Sequence, residues 1–156
     1  MGLDMYLYAE QCVSGWDHKE EHEKNHYTDV VGAAGLMALA DPDTPSAYVR
    51  ATCAYWRKAN AIHRWFVENV QDGEDECKPH YVSEAQLIEL RDECQAVLDD
   101  PDIAAGRLPT QEGFFFGSYE YDEYYMQHLK YTVERIDFLF ENSDPPYINW
   151  IYQSSW

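Results

Sequence analysis

The sequence predicts an α+β domain with a small mixed or antiparallel sheet packed against three or more helices. Two stretches, near residues 3–9 and 46–55, alternate side chains with a period of two, as half-buried strands do. Three later stretches repeat apolar residues at helical spacing, and the order strand, helix, strand, helix, helix, helix, strand suits this class. At 156 residues, 46 % of them hydrophobic, the chain is long enough to bury a core as one compact domain over residues 1–156.

In LDMYLYA, Leu3, Met5 and Leu7 face one way and Asp4, Tyr6 and Tyr8 the other. Residues 16–45 begin polar, turn small and apolar, and close in a Pro/Asp turn, a pattern for one or two helices with a loop. From Ser46, Ala47, Val49, Ala51, Cys53 and Tyr55 define one strand face, with Tyr48, Arg50 and Thr52 on the other. The period then changes. Tyr55, Ala59, Ile62, Phe66 and Val70 follow a helix, so strand passes into helix around Trp56 to Lys58, and Gly73 in an acidic loop stops it. Ser83 with Gln86 forms a capping box that opens a helix striped by Leu87, Leu90, Cys94, Val97 and Leu98. A further helix runs from about Tyr121 to Glu141 on Tyr125, Leu129, Val133, Ile136 and Phe140. Residues 142–146 break it, and 147–155 close the chain as a strand.

Charge bounds the partners. With 29 acidic against 11 basic residues, a net charge of −18 and a pI near 4.4, the average field repels nucleic acid and anionic membrane surfaces. Disordered acidic chains lack aromatics, whereas this one has 13 Tyr, 6 Phe and 5 Trp, so it is expected to fold. Cys12, Cys53, Cys77 and Cys94 form no CxxC pair, and MGLDMYLYAE has neither a cationic nor an apolar leader segment. With no run long enough to span a bilayer, the expectation is a soluble protein of the host-cell cytoplasm.

Against that charge, the stretch from Thr44 to Val67 contains no acid, yet it holds Arg50, Arg57, Lys58 and Arg64. It also holds Trp56, Asn60, His63 and Trp65. A helical wheel puts Tyr55, Ala59, Ile62 and Phe66 on the buried face, His63 and Trp56 at its edge, and Arg57 and Arg64 opposite, beside Asn60. Guanidinium groups suit phosphate or carboxylate, and aromatic rings suit a base. With Tyr121 and Tyr125, these residues make a candidate pocket for a small anionic, nucleotide-like ligand. The alternative is structural: the cations pair with the chain's own acids, Arg64 with Glu68 being the nearest example.

Other features are weaker. His18, His22 and His26 recur every four residues and would line one helix face, a spacing from which two imidazoles can share a metal. A solvated polar helix face is the commoner explanation, and no metal or other cofactor is assigned. Gly117 and Ser118 in GFFFGSYEYDEYY precede a helix and could offer N–H groups to an anion, but Asp122 and Glu123 already supply its first turn with charge. No nucleophile elbow, phosphate-binding loop or zinc-protease motif is present, so no catalytic residue is assigned.

MGLDMYLYAE, AYWRKANAIHRWFVENVQDGED, FFFGSYEYDEYY and YQSSW, in that order, resemble a family of small uncharacterised bacteriophage and prophage proteins. The resemblance implies phage origin and a single domain, and it carries over no site residue. The resulting expectation is a non-enzymatic binding protein, with a counter-defence role by analogy. Its partner is either a small anionic ligand or a host protein, and it binds nucleic acid and membrane directly in neither case. The alternatives are an acidic DNA mimic that inhibits a host nucleic-acid-handling protein, and a phosphoester-cleaving enzyme using His63 or the histidine run.

Overall fold

The computed structural model describes residues 2–143 and 148–156. Along the chain run β1 (Asp4–Ser14), α1 (Glu21–Ala33), a 3-10 turn (Met37–Leu39), β2 (Ser46–Arg57), α2 (Asn60–Asn69) and β3 (His80–Val82). They are followed by α3 (Glu84–Asp99), a second 3-10 turn (Pro101–Ile103), α4 (Ala104–Arg107), α5 (Glu123–Asn142) and β4 (Asn149–Ser155). The strands form one antiparallel sheet in the order β2-β1-β4-β3, so the fold is α+β. The first residue of the expected closing strand, Tyr147, and residues 144–146 of the expected helix break lie outside the described residues. Among the described residues, no helix is long and apolar enough to cross a membrane.

The chain divides into two compact units, Met1–Ala9 with Thr52–Trp156, and Glu10–Ala51. In the first, the alternation of β1 buries Leu3, Met5 and Leu7 completely. They join Phe66 of α2, Leu87 and Leu90 of α3, Leu129 and Ile136 of α5, and Tyr152 of β4 in one core. Phe66 and Tyr152 stack with ring centroids 3.9 Å apart. The Ser83 capping box forms as expected: the Ser83 hydroxyl accepts from the Gln86 N–H at 3.2 Å, and the Gln86 side chain accepts from the Ser83 N–H at 2.9 Å. The expected stripes of α3 and α5 are the faces that bury.

β2 stays extended through Arg57, so the helical wheel does not apply before Asn60. On β2 it is Ala54 and Trp56 that face the core, while Tyr55, read as buried, is 42 % exposed. β1 continues five residues beyond the expected strand end, to Ser14, and β3 and α4 were not expected from the sequence.

Two side chains of α5 reach the backbone of β2 at Cys53 and Tyr55. The Tyr131 hydroxyl accepts from the Tyr55 N–H at 3.2 Å, and Arg135 Nε donates to the Cys53 carbonyl.

The second unit has a core of Val13, Tyr27 and Val31, with Val30, Ala40 and Ala47 packed against it. Gly15 is required there, because a Cβ on it would lie 2.8 Å from the Tyr27 ring. In this unit the buried Glu10 carboxylate accepts from Arg50 at 2.7 and 3.0 Å.

Candidate functional site

The strand-to-helix junction turns on Lys58, whose φ of +57° is left-handed. For a residue with a Cβ that conformation costs about 1–2 kcal/mol. Neighbouring segments hold it there. The Lys58 N–H donates to the Leu3 carbonyl at 2.8 Å, and two glycines make room for the side chain. A Cβ on Gly117, itself at φ +92°, would lie 3.0 Å from Lys58 Cβ, and one on Gly2 would lie 3.3 Å from Lys58 Cε. The aliphatic stem therefore passes between two glycines while the residue as a whole stays exposed.

Asn60, the first residue of α2, is buried and ties the 111–118 loop to this junction. Its Nδ2 donates to the carbonyls of Phe116 at 3.1 Å and Ser118 at 2.8 Å, and its Oδ1 accepts from the Gln111 N–H at 3.2 Å. The Leu3 N–H donates to the Phe115 carbonyl at 3.2 Å, so three segments distant in sequence meet at Lys58.

One turn on, His63 is fully buried. Its Nδ1 lies 2.7 Å from the Tyr152 hydroxyl and its Nε2 lies 3.1 Å from Asp75 Oδ2. Asp75 Oδ1 in turn accepts from Trp156 Nε1 at 3.1 Å. Burial pushes the His63 pKa down, with the Asp75 carboxylate opposing it, and burial raises the Tyr152 hydroxyl well above its ordinary range. A neutral imidazole therefore fits the pair: Nε2–H donates to Asp75, and Nδ1 accepts from Tyr152. With both nitrogens engaged and no exposed surface, His63 is a structural link that cannot touch a substrate.

A pocket of about 60 Å³ opens between the start of α2 and the start of α5. Residues 58–62 form one wall, and Ser118, Glu120, Asp122, Tyr124, Tyr125 and His128 lie among those lining the rest. α2 begins without a side-chain cap and without an acid in its own first turn, so the negative charge near its start comes from Glu120 and Asp122 across the pocket. α5 differs, because Asp122 caps it by accepting from the Tyr125 N–H at 2.9 Å. The His128 pKa is lowered by burial, with Asp122 acting against it.

The candidate residues separate. Lys58, Asn60 and Tyr125 line the pocket, but Asn60 is engaged with its own loop and the buried Tyr125 donates its hydroxyl to the Leu108 carbonyl at 2.8 Å. Tyr121 packs edge-on against Tyr125 at 5.1 Å. Trp56 and Trp65 are core residues rather than open stacking surfaces; Trp56 Nε1 donates to Thr132 Oγ1 at 2.9 Å. Arg64 pairs with Glu68 at 2.7 Å and Arg50 with Glu10 at 2.7 Å. Arg57 is exposed and, like Lys58, has no ion pair among the described residues. Sequence reasoning passed over Gly2 and His128; Gly117 was noticed for its N–H group, whereas its role is to admit the Lys58 stem.

Among the described residues no group of three His, Cys, Asp or Glu side chains is placed to hold a metal. His18 lies before α1 begins at Glu21, so the three histidines do not share one helix. No disulfide forms among the described residues. Compared with protein-family models, curated proteins and solved structures, the chain matches none.

Proposed function

We propose that the protein is a non-enzymatic binding protein whose ligand carries a phosphate-sized anionic group, seated against Lys58 at the uncapped start of α2. The supporting observation is Lys58 itself. In a chain of 29 acids and 11 bases, it has no ion-pair partner among the described residues, and it occupies a backbone conformation that glycine would adopt more cheaply. A cation and an uncapped helix start that line one pocket favour an anion, and the Glu120 and Asp122 carboxylates on its other side act against it.

The pocket volume narrows the ligand. About 60 Å³ admits a phosphate or a few waters, far below the 300 Å³ or more of sites that enclose a whole small molecule. A nucleotide would therefore place only its phosphate inside, with the base against exposed Tyr124 and Tyr121 at the rim. In the phage setting that the sequence resemblance suggests, sequestering a nucleotide signal would be the role.

Calorimetric titration with inorganic phosphate, AMP and adenosine tests this. Phosphate and AMP are expected to bind and adenosine not to, with Lys58→Ala weakening AMP by about tenfold or more. Lys58→Gly should lose the same affinity while raising thermal stability, because it relieves the left-handed strain. Absence of phosphate and AMP binding, or Lys58→Ala binding AMP like wild type, would sink the reading.

A further inference from the structure

Residues 30–40 form a run of eleven uncharged residues, VVGAAGLMALA, in a protein of net charge −18. Every residue from Gly32 to Leu39 is exposed, with Leu36 at 52 %, Met37 at 40 % and Leu39 at 81 %. Single exposed leucines need no explanation, whereas a contiguous apolar segment marks a place of contact.

The segment is also built. After the Ala34 C-cap, Gly35 at φ +71° makes the left-handed turn that ends α1, and the Leu36 N–H returns to the Val31 carbonyl at 3.0 Å. The following 3-10 turn is closed by the Leu39 N–H on the Leu36 carbonyl at 2.9 Å. In a helix terminus of this kind the residue after the glycine usually packs back on the helix; here Leu36 points to solvent. A hydrogen-bonded backbone thus holds three large apolar side chains outward, which lowers the ordering cost of binding.

The charge around the segment selects the partner. Asp29 lies just before the run and Asp41 and Asp43 just after it, all exposed, and α1 ends without a basic residue in its last turn, leaving its negative pole uncompensated. Residues 10–51 carry eight acids against three bases, two of which, Lys19 and Arg50, are paired with Glu23 and Glu10. A second copy or an anionic bilayer would bring like charge to the same place. We propose that Gly32–Leu39 is a docking surface for a protein whose contact patch is an apolar pocket rimmed by lysine and arginine. This rests on a different part of the chain from the Lys58 pocket and does not depend on it.

Titrating the full chain with an amphipathic leucine/lysine peptide, and with its leucine/glutamate counterpart, tests the surface. Binding of the lysine peptide only is expected, with a loss of about tenfold in a Leu36→Ser/Leu39→Ser double variant that keeps the wild-type circular dichroism spectrum. Equal binding of the lysine peptide by wild type and double variant would mean attraction by net charge alone and would overturn the proposal. So would equal binding of the two peptides, a dimer in sedimentation that the double variant abolishes, or adsorption to phosphatidylcholine vesicles.

Discussion

α2 buries seven of its ten residues, and α1 buries two of its thirteen. Both are short helices following a strand, but they serve different ends. In α2 the polar residues Asn60 and His63 are interior because carbonyls, a phenol and a carboxylate from other segments satisfy them. α1 keeps its polar side chains in water and then leads into an apolar segment that no part of its own unit covers. The buried helix is fixed by distant partners, whereas the exposed one is held chiefly by its own turns.

The contrast is most easily broken in the cores. Phe66→Ala, at the stacked pair with Tyr152, is expected to cost about 3–5 kcal/mol of global stability in urea denaturation. Tyr27→Ala removes one of the three buried residues of the smaller core, and should instead speed hydrogen exchange in residues 10–51 while leaving α2 amides protected. Equal loss of protection in both would mean that the two cores unfold as one. Next in size, Gly117→Ala at φ +92°, with its new Cβ 3.0 Å from Lys58, should cost about 1–3 kcal/mol, read by thermal denaturation.

A smaller, pH-dependent effect belongs to His63. Its folded pKa lies below the ordinary 6.5, so between those two values the unfolded chain binds more protons than the folded one. Stability is therefore fully present above 6.5 and falls as pH drops through 6.5 towards the folded value. His63→Gln should flatten that slope in denaturation series at several pH values, and an unchanged slope would assign it to other groups. The smallest effect is expected on the solvent face of α2, where Arg64→Ala breaks only an exposed pair and should change stability by about 0.5 kcal/mol or less.

Local signals in the sequence reached far into the fold. Ser83 and Gln86 announced the start of α3, and the stripes of α3 and α5 are the faces that pack, because both depend on neighbours three or four residues away. At Tyr55 and Trp56 two periods overlap, and a chain that stays extended two residues longer exchanges which ring is inside. β3, with three residues, is too short to show a period. At the site, Lys58 was visible as a cation outside the acidic background. Asn60 was not readable in the same way, since its carbonyl partners lie 56 and 58 residues downstream. Nor was His63, whose partners are an aspartate in an acidic loop and a tyrosine 89 residues away.

The side chains that α5 lends to β2 have a consequence for the protein in a crowded solution. An outermost strand with unused N–H and C=O groups is a template on which another chain can add a strand and begin a fibril. Around Cys53 and Tyr55 those groups are already taken by Arg135 and Tyr131, and the opposite border of the sheet is only three residues long. Strand addition therefore finds the Cys53 and Tyr55 groups already engaged at one margin and only three residues at the other.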